Sequence, residues 1–130
     1  MKGFVDDIEE LTKTNVHFRR VLYTGNHLQL VLMTLKAGED IGEEVHDDRD
    51  QFFRIEAGCG TVVIDGKRHA VEDDDAVIVP AGARHNVINT GGEPLKLYTL
   101  YGPPPEHREG VVHGTKADAV EEHFDGTTTE

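Results

Sequence analysis

Between residues 16 and 101 the sequence alternates apolar and polar residues over short runs that turn-forming residues separate. A period of two places successive side chains on opposite faces, which is typical of β-strands. Gly25-Asn26 and Asp65-Gly66 are turn dipeptides of the kind that joins hairpin strands. No long helical segment interrupts the runs, so the pattern predicts an all-β sandwich or barrel. The pattern predicts about eight or nine short strands. They include residues 16–24, 27–35, 51–56, 61–64, 68–71, 76–79, 84–89 and 95–101.

Helical spacing is confined to the two ends of the chain. Apolar residues in 4–13 recur three or four positions apart, which predicts a short N-terminal helix. Three prolines, 103–105, end the sheet because proline cannot donate to a strand ladder. After an irregular segment, residues 116–124 have the pattern of a short amphipathic helix. We therefore expect one domain over 1–130, with a barrel core at about 16–101 and a C-terminal extension over 102–130.

Length and charge limit the partners of this chain. Its 130 residues suffice for one hydrophobic core. With 25 acidic against 13 basic residues, the net charge of −12 argues against nucleic-acid binding. No apolar run is long enough for a membrane span, and the acidic N-terminal segment lacks the apolar region of a signal peptide, so we expect a cytoplasmic location. Cys59, the one cysteine, excludes an internal disulfide and is interpreted as an ordinary free thiol.

The segment 42–53 carries the first candidate site residues. Glu44 and His46 are two positions apart, so in a strand they share one face and can both reach one divalent ion. Glu43 could be the ligand in place of Glu44 only if the strand register shifts by one residue. That shift would turn His46 away from the ion. Gln51 alternates with apolar Phe53 and therefore points inward, where its amide oxygen needs a donor or a metal.

The segment 80–89 carries the second candidate group. His85 follows the tight turn Pro80-Ala81-Gly82 at the start of a strand, which is a suitable position at a barrel mouth or wall. Asn89, on the same face of that strand, is interpreted as a structural cap or turn residue. Two ordinary hydrogen-bonded histidines remain the alternative interpretation of His46 and His85.

Across about residues 36–101 the chain resembles the small single-domain cupins. Residues 80–89 match the second cupin motif, Pro-x-Gly-x-x-His-x-x-x-Asn, without a gap, although Asp74 replaces its leading glycine. In the first motif Gln51 stands seven positions before Gly58, as the motif's acidic residue stands before its glycine. The resemblance implies a cupin double-stranded β-helix, or jelly-roll barrel, with short N- and C-terminal helices.

The same resemblance implies one divalent metal ion bound by Glu44, His46, Gln51 and His85. Two positions depart from the motif, since a histidine has become Glu44 and an acidic residue has become Gln51. Direct ligation by Gln51 and a hydrogen bond from Gln51 to a ligand both remain open. Two imidazoles with oxygen ligands suit zinc, manganese, iron or nickel about equally well. The four residue types also resemble the zinc ligand set of mannose-6-phosphate isomerases.

Three functions fit this site. The first is a metal-dependent enzyme acting on a small polar molecule such as a sugar or sugar phosphate, as an isomerase does, or alternatively a metal-dependent dioxygenase. The second is a non-catalytic binding or sensor barrel, because no separate catalytic base is evident. The third is a structural barrel whose metal site has decayed. Small cupins usually pair and exposed edge strands favour pairing, so we also expect a homodimer.

The other polar side chains have less specific interpretations. The remaining histidines are expected at the surface, with a lid over the barrel mouth as an alternative for His113: these are His17, His27, His69, His107, His113 and His123. The alternation over 27–35 places Gln29 with His27 on the polar face. Tyr98 and Tyr101 are three apart on one strand, so at most one of them lines the pocket.

Overall fold

The structure, a computed structural model, describes residues 1–130 and consists mainly of antiparallel strands. The N-terminal helix is α1 (Ile8–Thr14). Its N-cap is Asp7, whose side chain accepts a hydrogen bond from the backbone N–H of Glu10. Nine strands follow: β1 (Arg19–Thr24), β2 (Gln29–Leu35), β3 (Asp50–Ala57), β4 (Cys59–Ile64), β5 (Lys67–Glu72), β6 (Ala76–Val79), β7 (His85–Ile88), β8 (Leu95–Gly102) and β9 (Val112–His113).

Two sheets enclose the core. The larger has six strands in the order β6-β3-β8-β2-β1-β9, and the smaller has three in the order β5-β4-β7. Single bridges from Asp40 to Ile88 and from Glu44 to His85 place residues 40–44 along the free edge of β7. Inward-facing residues of both sheets form one cluster of 15 buried apolar side chains, among them Phe53, Leu97 and Val87. This arrangement confirms the all-β prediction.

The hairpin between β4 and β5 shows why the turn signals were informative. Asp65 and Gly66 both have positive φ, 46° and 82°, as a tight two-residue hairpin turn requires. Glycine adopts this backbone conformation without steric cost, and aspartate tolerates it better than most residues do. The paired register therefore runs from Ile64–Lys67 at the turn to Cys59–Glu72 at the far end.

The predicted amphipathic helix over 116–124 of the C-terminal extension is wrong. Only a single 3₁₀ turn, Lys116–Asp118, forms there. The segment predicted to be irregular contains β9, which pairs with β1. A helix of about nine residues is marginal by itself, and here the extension satisfies backbone groups elsewhere, through hydrogen bonds from Phe124 N to Glu106 O and from Thr129 N to Thr24 O.

Gln29 is fully buried, contrary to its predicted place on a polar face. β2 lies between β8 and β1, and it is covered on both sides over most of its length. The neighbouring Leu28 is 54% exposed, so the apolar–polar alternation fails at the start of this strand. Separately, the structure contains no helix with the length and apolar character needed to cross a membrane.

Candidate metal centre

A two-residue backbone pairing brings Glu44 and His85 together. The N–H of Glu44 donates to the carbonyl of His85, and the N–H of His85 donates to the carbonyl of Glu44, both at 2.9 Å. Residues paired in this way lie directly opposite each other with their side chains on one face. His46 follows two positions after Glu44, and its carbonyl accepts a hydrogen bond from Gly82 N at 2.8 Å.

The side chains of Glu44, His46 and His85 converge on one point. One potential ligand atom from each lies within 4.8 Å of the others. The imidazole rings of His46 and His85 have centroids 5.3 Å apart. His46 Nε2 lies 2.9 Å from Glu44 Oε2, yet this buried nitrogen has no hydrogen-bond partner of acceptable geometry. Because a buried polar atom normally finds a partner, an unpaired Nε2 beside a carboxylate fits a metal ligand.

Gln51 lies beside these three residues. It is 2% exposed, and its Oε1 is 3.0 Å from His85 Nε2. The amide orientation follows from its other end, where Nε2 donates to Thr99 Oγ1 at 3.0 Å. The oxygen therefore faces the ligand atoms, a position from which it can contact either a metal ion or His85. Its predicted inward direction from β3 is confirmed by the burial.

The outer nitrogens of both histidines have their own partners. His85 Nδ1 lies 3.0 Å from the carbonyl of Ala83, to which it donates. His46 Nδ1 lies 3.3 Å from Glu106 Oε2. With the proton on Nδ1, each Nε2 lone pair is free for a metal ion, and neutral His85 does not also donate from Nε2 to Gln51 Oε1. Such outer partners orient metal-binding histidines in general. The donor set and the tautomers thus fit a divalent ion.

Glu106 was missed by the sequence reasoning. It follows the proline run in the C-terminal extension, and nothing in its local sequence marks it as a site residue. Arg49 holds it in place: the guanidinium pairs with the Glu106 carboxylate and also donates to Pro105 O at 2.9 Å. Burial raises the pKa of Glu106, although His46 and Arg49 oppose that rise.

The two imidazoles have opposite pKa shifts in the metal-free chain. Burial lowers the pKa of His46, but the carboxylates of Glu44 and Glu106 outweigh this effect and the net shift is upward. Burial lowers the pKa of His85, and the neighbouring His46 adds to the decrease. His85 is therefore the more readily available neutral ligand at neutral pH.

An open cleft of about 710 Å³ leads to the candidate centre. Glu44 and His46 line it, whereas Gln51 and His85 do not and are buried. Tyr101 packs edge-on against His46, with ring centroids 5.8 Å apart. Tyr98 lies on the other face of β8, as predicted. The cleft is large enough for a small molecule in contact with the exposed side of the candidate centre.

His107 and His113 are buried, at 8% and 6% exposure, so their predicted surface positions are wrong. His113 belongs to β9 and pairs with Arg19 of β1, which is a sheet position rather than a lid. His107 packs edge-on against Tyr101 at 5.2 Å between centroids. Both histidines belong to the C-terminal extension, whose packing the local sequence does not reveal.

The buried His107 should make stability depend on pH. Burial, with the positive charge of Arg19, lowers its pKa from 6.5 to about 3. Between these values the unfolded chain binds a proton that the folded chain does not, so stability is lost as pH falls from 6.5 towards 3. In metal-free protein, His107→Gln is expected to reduce the slope of unfolding free energy against pH by about 1.4 kcal/mol per pH unit. Urea titrations between about pH 4 and pH 6, inside this window, measure the slope for both proteins. Parallel slopes for the two proteins would contradict the assignment.

Removing the charge of Glu106 should weaken metal binding. Glu106→Gln keeps the shape of the side chain but takes away the carboxylate that orients His46, so we expect a loss of affinity of about 10- to 100-fold. Competition with a chelator measures this loss. Glu121→Gln, an exposed carboxylate on the same cleft, is the control. Equal affinities for the two variants would show that Glu106 plays no part in metal binding.

Comparisons with known proteins agree with this architecture. The family model described as "Cupin domain" matches residues 31–101. An uncharacterized protein, YrkC, of Bacillus subtilis is 54% identical over 125 residues, which cover 92% of this chain and 67% of that protein. The crystal structure of BH2720 from Bacillus halodurans is 50% identical, with a TM-score of 0.87 and coverage of 90% of this chain and 92% of that one.

A more distant relative has a named activity. A mannose-1-phosphate guanylyltransferase of Escherichia coli is 32% identical over 73 residues, which cover 56% of this chain but 15% of that enzyme. The family match spans more than half of the chain, and it includes Glu44, His46, Gln51 and His85. This chain belongs to the cupin family.

Proposed function

We propose that this protein binds one divalent metal ion through Glu44, His46 and His85, with Gln51 as a fourth ligand, and acts on a small polar molecule such as a sugar or sugar phosphate. The observation that carries the proposal is the convergence of three donor atoms within 4.8 Å, one of them a buried nitrogen without a partner. A bound metal ion would polarise a carbonyl or hold adjacent hydroxyls, as an isomerase requires.

The residues of the chain determine what such a site accepts. One carboxylate, Glu44, offsets part of the charge of the ion, and the neutral imidazoles suit zinc, manganese, iron or nickel. Hydrophobic residues make up only 5 of the 18 that line the cleft, which favours a polar ligand. The relative named as a mannose-1-phosphate guanylyltransferase supports a sugar phosphate as the class to test first.

Metal content and turnover test the proposal. Elemental mass spectrometry of the purified protein should find about one metal ion per chain, as one ligand set implies. The metal-loaded protein is then screened against sugar phosphates and catechol-type compounds, with His46→Ala as the control. Turnover that disappears in His46→Ala supports an enzyme. Turnover of catechols alone would indicate a dioxygenase and not an isomerase.

The ion pairs in the cleft favour a second candidate, a non-catalytic binding barrel. Glu43 pairs with Arg84 at 2.8 Å, and Glu106 pairs with Arg49. Carboxylates occupied in this way are poor general bases, since catalysis needs a group free to exchange a proton. Saturable ligand binding with no turnover in the same screen would favour this candidate.

We also propose that the chain forms a homodimer. β6 is an edge strand of the larger sheet, and its Ile78 is 67% exposed. A second pocket, beside β6, is lined by nine residues, of which seven are hydrophobic. Pairing of two copies would cover this edge. Light scattering is expected to give twice the chain mass of 14.4 kDa, and a monomer mass would contradict the proposal.

A further inference from the structure

Arg19 is a buried cation without an anionic partner. It lies on β1 and is 7% exposed. Its Nε is fully buried and has no hydrogen-bond partner, and no carboxylate lies within ion-pair distance of its guanidinium. Burying an unpaired charge is costly, and proteins seldom retain one without a use for it. Its Cζ lies 5.3 Å from the centroid of the Phe18 ring.

The other cations of the same cleft are all neutralised. Arg49 pairs with Glu106 and Asp48, and Lys116 pairs with Asp40. Arg19 is therefore the one arginine or lysine lining this cleft whose charge is unmatched. In a chain with a net charge of −12, an arginine without an acidic partner is more unusual.

The position of Arg19 relates it to the candidate metal centre. In the sheet, Arg19 pairs with the buried Met33 of β2 on one side and with His113 of β9 on the other. Its side chain therefore lies on the inner face of β1, where it lines the cleft. Its positive charge opposes the rise in the pKa of Tyr101 that burial causes, and Tyr101 itself packs against His46. Arg19 thus lines the same cleft as Glu44 and His46.

We propose that Arg19 binds the anionic group, a phosphate or a carboxylate, of a small hydroxylated molecule whose hydroxyls face Glu44 and His46. The inference rests on the proposed function, since it names the class of ligand that the metal site accepts. A guanidinium suits either anion because its planar fork donates two parallel hydrogen bonds to paired oxygens. A ligand anion would supply the missing partner of a charge that is already buried.

The test uses three probes that share adjacent hydroxyls. Glycerol 3-phosphate carries a phosphate, glycerate carries a carboxylate, and glycerol is uncharged. Calorimetric titrations of the metal-loaded protein are expected to show binding of at least one anionic probe and none of glycerol. Arg19→Gln should weaken that binding by about tenfold or more, because charge-assisted hydrogen bonds are lost. Arg19→Lys should bind the anionic probe with an intermediate affinity, because lysine keeps the positive charge but lacks the two parallel donors of a guanidinium.

Lys116→Gln is the matched control. It removes one positive charge from the same cleft, so an effect of net charge alone would appear equally in it. Without any probe, Arg19→Gln should unfold at a temperature no lower than the unaltered protein does, because an unpaired buried charge is removed. The anionic probe should raise the unfolding temperature of the unaltered protein and not that of Arg19→Gln.

The outcomes separate this inference from the proposed function. Equal losses in Arg19→Gln and Lys116→Gln, unchanged binding in Arg19→Gln, or no binding of either anion to the unaltered protein would each overturn the role of Arg19. Anion binding that depends on Arg19 in a protein shown to take up no metal would support the role of Arg19 and refute the metal site. The anion that binds more tightly identifies the ligand as a phosphate ester or a carboxylic acid.

Discussion

Replacing His85 by alanine is expected to abolish stable metal binding. His85 supplies one of the two imidazole nitrogens, and its Nε2 faces the amide oxygen of Gln51 at 3.0 Å. Removal leaves one imidazole and oxygen donors, a set that binds divalent transition metals much more weakly, so we expect an affinity at least about a hundredfold lower. Elemental analysis should fall from about one ion per chain to near zero after gel filtration.

Two controls keep this result interpretable. His27→Ala removes an exposed imidazole far along the chain from the site and should leave the metal content unchanged. Circular dichroism should show that His85→Ala retains its strands, because the Glu44–His85 pairing uses backbone groups that alanine also provides. A folded His85→Ala protein with unchanged metal content would rule out the proposed ligand set.

Replacing Gln29 by methionine is expected to lower the free energy of unfolding more than any of the other substitutions proposed for this protein. The side-chain amide donates to Thr24 Oγ1 at 2.9 Å and to His107 O at 2.8 Å. Its oxygen accepts from the backbone N–H groups of Glu106 and His107 at 3.2 Å and 2.8 Å. Methionine fills a similar volume without replacing these bonds, so we expect a loss of about 3 to 5 kcal/mol in unfolding free energy.

Urea denaturation of the metal-free protein measures this loss. Leu28→Gln, at the adjacent exposed position, is the control and should change stability by less than about 0.5 kcal/mol. Since Gln29 ties down the segment that carries Glu106, Gln29→Met should also weaken metal binding. Stability equal to that of the control would mean that the C-terminal extension does not depend on this buried amide.

The strands and the ligand candidates could be predicted because their signals are local. Alternation over β3 shows the direction of Gln51 from its neighbours alone, and the spacing of Glu44 and His46 follows from the strand period. Likewise, Asp65-Gly66 forms a hairpin because of its own backbone preferences. The position of His85 was predicted by a motif of ten consecutive residues, 80–89.

The surroundings of the site could not be predicted in the same way. Glu106 reaches His46 only because Gln29 and Arg49 hold the C-terminal extension against the barrel. Residues this far apart in sequence meet through packing, for which a single sequence carries no periodic signal. The same reason applies to 116–124, where the N–H of Phe124 donates to the distant carbonyl of Glu106 instead of to a helical carbonyl.

The sequence by itself determined an all-β fold and an inward Gln51, because strand period and turn chemistry act between near neighbours. Its resemblance to the cupins implied the barrel type and a first set of metal-ligand candidates. Only the tertiary structure decided that Glu106 orients His46, that His107 and His113 are buried, and that Arg19 faces the cleft without a partner. Burial and charge pairing are sums over all surrounding groups, so they are defined only once distant segments have packed together.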